Sequence, residues 1–278
     1  MTRPIRATRA FHFARFTTLA AAAAFLLALA PLRACAQPTT LEGNKLEMLS
    51  RAHGDDLDTG TFIVSQFGKP VRSEGFSIER MRDTLMVSAT SAMSLPGQDA
   101  RPVDKSMILM VGPLDFAMGS YWSQQTVGQD TLRRGGEGVP GDTVMTVWRQ
   151  LNGAGVGEVR AQPPGRMYIL DPPLFTTFNL VGRSLHGKVC DRRPIQVLVL
   201  GARDSVVDGT VTDVGTETIR WGGRPVLTRK LVIADQATSF TGWFSPDDGG
   251  LLRLEQARDG IRVDRKAPPL KHQPPRTK

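Results

Sequence analysis

The stretch 239–256, SFTGWFSPDDGGLLRLEQ, decides the fold. Phe240, Gly242 and Phe244 alternate with Thr, Trp and Ser, and successive residues of a β-strand face opposite sides of a sheet. Residues 246–250 then interrupt the pattern with Pro, Asp and Gly, which form turns. Alternation resumes in Leu-Arg-Leu-Glu. Two alternating runs around a five-residue turn predict a β-hairpin whose phenylalanine side faces the core.

The same alternation recurs in two series, 61–151 and 195–264, with turn residues about every ten positions. This spacing predicts an all-β fold, a strongly curved antiparallel meander (a half-barrel or β-roll) with one or two short helices. The two series form one β domain, 61–264, joined by a helical segment near 174–186. Residues 37–60 are interpreted as a lead-in to the first strand.

The helical segment is predicted from apolar residues at three- and four-residue spacing, Leu174, Phe178, Val181 and Leu185. Two prolines precede it and a glycine follows it, as at many helix ends. Gly182 weakens the pattern, because glycine costs about 1 kcal/mol against alanine inside a helix. The segment is interpreted first as a plug of the core. The alternative is a lid or wall over an apolar pocket.

Both ends of the chain differ in composition from the body. Residues 1–36 combine an arginine-rich start, an apolar run of twelve and a final Ala-Cys-Ala, the layout of a cleaved signal peptide. We therefore expect export to the periplasm or cell envelope, with lipidation at Cys35 as the less favoured alternative. Residues 265–278 are basic and rich in proline, which predicts a disordered tail.

The charge distribution argues against nucleic acid as a partner. The net charge of +8 comes from ten basic residues in the two terminal segments, which contain no acidic residue. The remainder has 25 basic and 27 acidic residues, a net charge of −2. Nucleic-acid binding needs a basic surface on the folded domain itself.

No motif predicts catalysis, a metal or a cofactor. The sequence contains neither Gly-x-Ser-x-Gly nor His-Glu-x-x-His. The acidic run 53–58 fits no calcium loop, and the cluster of His186, Cys190 and Asp191 has too few ligands for zinc. The glycine-rich stretch 152–157 is followed by no helix, so it is interpreted as a hairpin turn.

A resemblance rests on the second series, above all on Trp243-Phe244-Ser245-Pro246-Asp247 and Leu252-Arg253-Leu254-Glu255. It resembles secreted bacterial β-proteins of unknown function in which a thread W-F-x-P-D-x-G-x-L-L-R-L-E closes the sheet. Those proteins look like outer-membrane lipoprotein carriers and spiral β-roll glycolipid-binding proteins. The resemblance implies a strongly curved antiparallel sheet around an apolar interior, and no ligand contact can be transferred from it.

The function expected from these features is non-catalytic binding of a lipid-like or other apolar ligand inside the curved sheet, at the outer-membrane surface or elsewhere in the envelope. The alternatives are a secreted hydrolase with an unrecognised site and a structural or assembly factor. The candidate ligand-binding residues are Trp243, Phe178, Arg229 and Arg253. The two aromatic residues would form apolar walls, and the two arginines would meet an anionic head group.

Overall fold

The computed structural model describes residues 54–92, 103–114, 116, 118–138, 145–161, 167–188, 191–201 and 204–268. These ranges contain fifteen strands and one helix, α1 (Thr177–Leu185). The strands are β1 (Asp55–Gln66), β2 (Lys69–Met81), β3 (Thr84–Ala92), β4 (Val103–Val111), β5 (Met118–Val127), β6 (Asp130–Glu137), β7 (Met145–Leu151), β8 (Ala154–Ala161), β9 (Met167–Leu170), β10 (Arg192–Val199), β11 (Ser205–Trp221), β12 (Arg224–Asp235), β13 (Ser239–Phe244), β14 (Leu251–Gln256) and β15 (Ile261–Arg265).

All fifteen strands belong to one open sheet in the order β8 to β1, then β15 to β9. Neighbouring strands are antiparallel except β9 and β10, which are parallel and joined through α1. The two meanders meet where the first strand pairs with the last, from Phe62 opposite Arg265 to Gln66 opposite Ile261. The all-β prediction of an antiparallel meander with a short helix is confirmed.

The inner face of the sheet carries the core. Phe62 and Phe76 stack with ring centroids 4.7 Å apart, and Phe244 and Leu254 from the second meander belong to the same buried cluster. Phe244 is 1% exposed, and Phe240 packs against the cluster. The predicted inward side of the 239–256 hairpin is therefore the core side.

Helix α1 lies within this core and packs against β9 and β14. Its apolar residues at three- and four-residue spacing are buried, and so is Gly182, which lies against Phe244 and the Gly249 carbonyl. Gly187 adopts a φ of +68° just after the helix, the left-handed conformation that commonly ends helices. The interpretation of this segment as a core plug agrees with its burial.

The Asp58 carboxylate of β1 joins α1 to β15, at the seam between the two meanders. Asp58 Oδ2 accepts hydrogen bonds from Arg183 Nη2 of α1 at 2.6 Å and from Arg265 Nη1 of β15 at 3.1 Å. Arg183 also donates to Asp248 in the turn after β13, at 2.8 Å. The Asp58 side chain is 8% exposed, so this bridge is largely screened from water.

The long hairpin of β11 and β12 folds back over the outer face of the sheet. A bulge between Asp213 and Gly215 bends β11. Beyond it, Arg220 O accepts a hydrogen bond from Arg253 of β14, and Trp221 Nε1 donates to Arg265 O of β15 at 2.7 Å. We call residues 215–228 the ribbon. The ribbon covers part of the sheet that its own chain forms.

Several predicted boundaries differ from the structure. Strand β1 begins at Asp55, so the end of the 37–60 lead-in is strand and the acidic run supplies its first residues. Strand β6 extends through Gly135 and Gly136, although glycine is depleted in strands. Arg265 ends β15 and does not belong to a tail. The signal peptide, Cys35, the lead-in through residue 53, Cys190 and the tail from residue 269 lie outside the described residues.

Candidate functional site

Trp243 and Arg253 are neighbours on the outer face, away from the core. The Arg253 guanidinium lies 6.0 Å from the Trp243 ring centroid, and Lys230 lies 5.3 Å from it. Trp243 is 6% exposed and belongs to a small cluster with Ile219 of the ribbon and Leu252. The face assignment is right. The ribbon folds over the indole, so the ring is buried and is not among the residues that line the two open pockets described below.

Arg253 is held by protein groups. Its Nε donates to Asp264 Oδ1 at 2.7 Å, and its Nη2 donates to the ribbon at Arg220 O at 3.2 Å. Burial raises the pKa of Asp264, but hydrogen bonds from Arg262 and Arg253 outweigh burial and hold that pKa below its usual value. The described contacts of Arg253 fasten the ribbon to β14 and β15.

Phe178, in the first turn of α1, is 2% exposed. Its ring centroid lies 4.7 Å from that of Phe240 and 6.3 Å from that of Phe175. These contacts make Phe178 part of the core. The structure thus separates it from Trp243 and Arg253, which lie on the other side of the sheet.

Arg229 is the predicted site residue that lines an open pocket. Its Nε donates to Asp213 Oδ2 at 2.9 Å, its Nη1 to Leu185 O at 2.6 Å and its Nη2 to Lys188 O at 2.7 Å. The carbonyls at the end of α1 lack partners inside the helix. Arg229 therefore fastens that end to β11 and β12, and forms a wall of the pocket beside it.

We call this pocket the rim groove. It has a volume of about 240 Å³ and lies between the end of α1, the bulge of β11 and the turn after β13. Its apolar lining includes Leu231, Phe244, Pro246 and Leu227, and the Leu227 side chain is 55% exposed. Glycines at positions 182, 187, 215 and 249 also line the groove and add no side chain to it. Small-molecule pockets are commonly about 300–1,000 Å³, so the groove suits a slender apolar group.

The first meander contains a cluster of buried charges that sequence reasoning missed. Asp171, between β9 and α1, accepts hydrogen bonds from Lys105 Nζ of β4 and from the Tyr121 hydroxyl of β5. Lys105 Nζ also donates to Pro172 O at 2.8 Å. Arg134 Nη1 of β6 lies 3.7 Å from Asp171 Oδ1. We call these residues, together with Arg72 and Glu74 of β2, the inner polar cluster.

Burial dominates the electrostatics of this cluster. Burial lowers the pKa of Lys105, although the charge and hydrogen bond of Asp171 oppose it. Burial raises the pKa of Tyr121 and the Asp171 charge adds to the effect, so the phenol stays protonated and donates. The side chains of Lys105 and Asp171 are both 0% exposed. This pair fixes the loop before α1 and is closed to a substrate.

Glu74 anchors the same loop closer to the helix. Its Oε2 accepts the Phe175 N–H at 2.7 Å, and its Oε1 accepts the Thr176 N–H at 2.7 Å and the Thr176 hydroxyl. Burial raises the pKa of Glu74, while these hydrogen bonds and the charge of Arg72 oppose the rise.

The alternation of inward and outward residues along β2 and β4 could have identified these charged residues as inward-facing. Arg72 and Glu74 have the same strand parity as Phe76 and Ile78, and Lys105 has the parity of the apolar residues that follow it in β4. Extending each apolar face by one or two steps would have placed these charges inward. Their partners could not be found this way, because Asp171 lies 66 residues from Lys105.

A second open pocket, of about 350 Å³, lies across β2 to β5. Its lining is mainly small or polar, with Ser73, Thr90, Asp104, Ser106 and Gln124 among its residues. Within the described ranges no group of three or more His, Cys, Asp or Glu residues is placed to hold a metal ion. The helical part of those ranges offers nothing long and apolar enough to cross a membrane.

Comparison of this chain with known proteins found similarity only to solved structures. No family model and no curated protein matches the chain. A β-barrel-like protein of the domain of unknown function DUF1849 from Brucella abortus is 8% identical, covers 77% of this chain and 96% of its own, and has a TM-score of 0.49. A DUF1089 family protein from Pseudomonas aeruginosa is 12% identical, with coverages of 64% and 86% and a TM-score of 0.42.

Proposed function

We propose that this protein is an exported, non-catalytic protein of the cell envelope that binds a lipid-like or other slender apolar ligand in the rim groove. The proposal includes the kinship with lipoprotein carriers that the 243–255 motif suggests. Export is proposed from the signal-peptide pattern of residues 1–36.

The observation that carries the proposal is an exposed leucine in the otherwise buried apolar lining of the groove. Leu227 lines the groove together with Leu231 and Phe244, and the Leu227 side chain is 55% exposed. A ligand that covered this surface would be favoured by about 25 cal/mol for each Å² of apolar area removed from water. The hydrogen bonds of Arg229 to the end of α1 keep one wall in place before a ligand arrives.

The ligand site differs from the one expected inside the sheet. Helix α1 occupies the interior between β9 and β14, and Phe178 is packed there. The groove lies at the end of that helix, where Gly182 and Gly249 approach each other closely. An apolar chain would therefore lie beside α1 and leave the core packing unchanged.

A fluorescent fatty acid, dansyl-undecanoic acid, tests the proposal by titration of the purified protein. We expect saturable binding that Leu227→Asp weakens at least about tenfold, because a charge at the groove must lose water when the chain binds. Leu151→Asp is the matched control, since Leu151 is a half-exposed leucine of β7 outside the groove. Equal affinity in the two variants, or no saturable binding by the unmodified protein, would contradict the proposal.

Lipid extraction of the native protein, followed by mass spectrometry, separates this function from the two alternatives. A co-purifying lipid at a fixed ratio favours the binder. A lipid-free protein that releases product from ester substrates favours the hydrolase. A lipid-free, inactive protein that co-purifies with an envelope partner favours the assembly factor.

A further inference from the structure

Arg72 occupies an unusual position in the inner polar cluster. It lies on the inner side of β2, two residues before Glu74, and its guanidinium carbon is 5.2 Å from the centroid of the Phe175 ring. The ring is held in place, because the Phe175 N–H and the neighbouring Thr176 N–H both donate to Glu74. A guanidinium stacked in this way has one face covered and its N–H edges free to donate.

One N–H group of Arg72 lacks an acceptor in the part of the chain that the structure describes. Its Nε is buried without a hydrogen-bond partner. Glu74 is an acid close enough to affect its charge, but both oxygens of that carboxylate already accept bonds from Phe175 and Thr176. Burial lowers the pKa of Arg72 to about 10, with the Glu74 charge opposing the shift. The side chain is therefore cationic at neutral pH while its buried Nε–H group is unsatisfied.

Neighbouring residues add positive charge around Arg72. Arg72 and Arg134 both lower the pKa of Lys105, after the larger effects of burial and of Asp171. Lys105, Tyr121 and Arg134 all lie within 4 Å of the Asp171 carboxylate. Arg134 also donates to Gly201 O at 2.8 Å and reaches Asp204 Oδ1 at 3.5 Å. The acids of the cluster thus make their hydrogen bonds with groups other than Arg72, although Glu74 still attracts its charge.

We propose that Arg72, stacked on Phe175, is the binding residue for an oxyanion, a phosphate or a carboxylate, on the inner face of the first meander. The planar guanidinium matches two oxygens of such an anion at once. Binding would satisfy a charged donor group whose burial is otherwise unfavourable. Arg72 keeps part of its surface exposed, so an ion can reach it. This site is separate from the rim groove and does not depend on the function proposed there.

The test follows the Arg72 Nε–Hε resonance of the ¹⁵N-labelled full chain by NMR. One titration uses inorganic phosphate, and a parallel one uses the short-chain lipid dihexanoyl phosphatidic acid. We expect a saturable shift of this resonance with at least one of the two. Tighter binding of the lipid identifies a lipid head group as the source of the anion, and equal binding identifies a free ion.

Substitution provides the control. Arg72→Lys keeps the charge but loses the two-pronged geometry, so we expect binding to weaken about tenfold or more. Arg133→Lys, at an exposed arginine of β6, should leave binding unchanged. Leu227→Asp should also leave it unchanged, which separates this test from that of the rim groove.

Two results would overturn the proposal: no saturable shift with either anion, or equal affinity in Arg72→Lys and the unmodified protein. If Arg72→Lys fails to fold, phenylglyoxal labelling of the unmodified protein decides the question. Peptide mass spectrometry should then show phosphate protecting Arg72 from modification but leaving Arg133 unprotected. Equal labelling of Arg72 with and without phosphate would refute the site.

Discussion

Replacing Gly182 with alanine should destabilise the protein, against the usual effect of this change in a helix. Alanine stabilises a helix interior by about 1 kcal/mol over glycine. In this helix a Cβ at position 182 would lie 2.1 Å from Phe244 Cδ1 and 2.3 Å from Gly249 O. Overpacking a core costs about 1–3 kcal/mol, occasionally more. A backbone carbonyl cannot rotate away as a side chain can, so we expect the upper end of that range.

The expected balance is a net loss of about 1–2 kcal/mol in the free energy of unfolding, measured by urea titration of tryptophan fluorescence. Gly155→Ala is the control, because a Cβ at position 155 would point into open space and the φ of this glycine is not positive. Adding Phe244→Leu to Gly182→Ala should cost less than the sum of the two single changes, since the smaller side chain relieves part of the clash. A stabilised Gly182→Ala variant would refute the close approach of α1 to β13.

Two further pairs of variants, each with its own control, test the core and the Asp58 bridge by the same urea titration. Phe244→Ala should cost about 3–5 kcal/mol, as large aromatic truncations in cores do. Trp243→Ala should cost less, because the ribbon can move into the space that the indole leaves. A larger loss for Trp243→Ala than for Phe244→Ala would contradict this account of the ribbon. Asp58→Asn should cost about 3–5 kcal/mol because it removes the largely buried carboxylate of Arg265 and leaves Arg183 with only the half-exposed Asp248. Glu217→Gln, which breaks the solvent-accessible ion pair between Glu217 of the ribbon and Lys230 of β12, should change stability little. Equal losses in Asp58→Asn and Glu217→Gln would show that the Asp58 bridge is not specially stabilising.

Local pattern was enough to predict the strands and the inward side of the hairpin. Phe244 and Leu254 alternate with polar or outward residues, and period-two alternation depends only on the geometry of one strand. The pattern also separated Trp243 from Phe244 correctly. The pattern could not predict that Trp243 is buried. The ribbon that covers the indole is distant in sequence and reaches it only because β11 bends.

The candidate sites could likewise be predicted only in part from the sequence, because their remaining contacts join residues far apart in the chain. Glycine at position 182 looked like a weakness of the helix, and its packing partners Phe244 and Gly249 lie more than sixty residues away. Arg229 was selected as a rim residue, and it does line a groove. Its hydrogen bonds to Leu185 O and Lys188 O depend on where the end of α1 lies, which composition cannot specify.

The pairing of β1 with β15 also determines the order in which the chain can fold. Strand β1 is among the first parts of the described chain to be synthesised. Its residue Phe62 pairs with Arg265 of β15, which is made 203 residues later. Until that segment emerges, one edge of β1 has unpaired backbone N–H and C=O groups that can pair with other chains. Contacts this distant in sequence form slowly. The first meander is therefore complete in sequence while one edge of β1 is still open, and β15, the last strand of the described ranges, is the one that covers it.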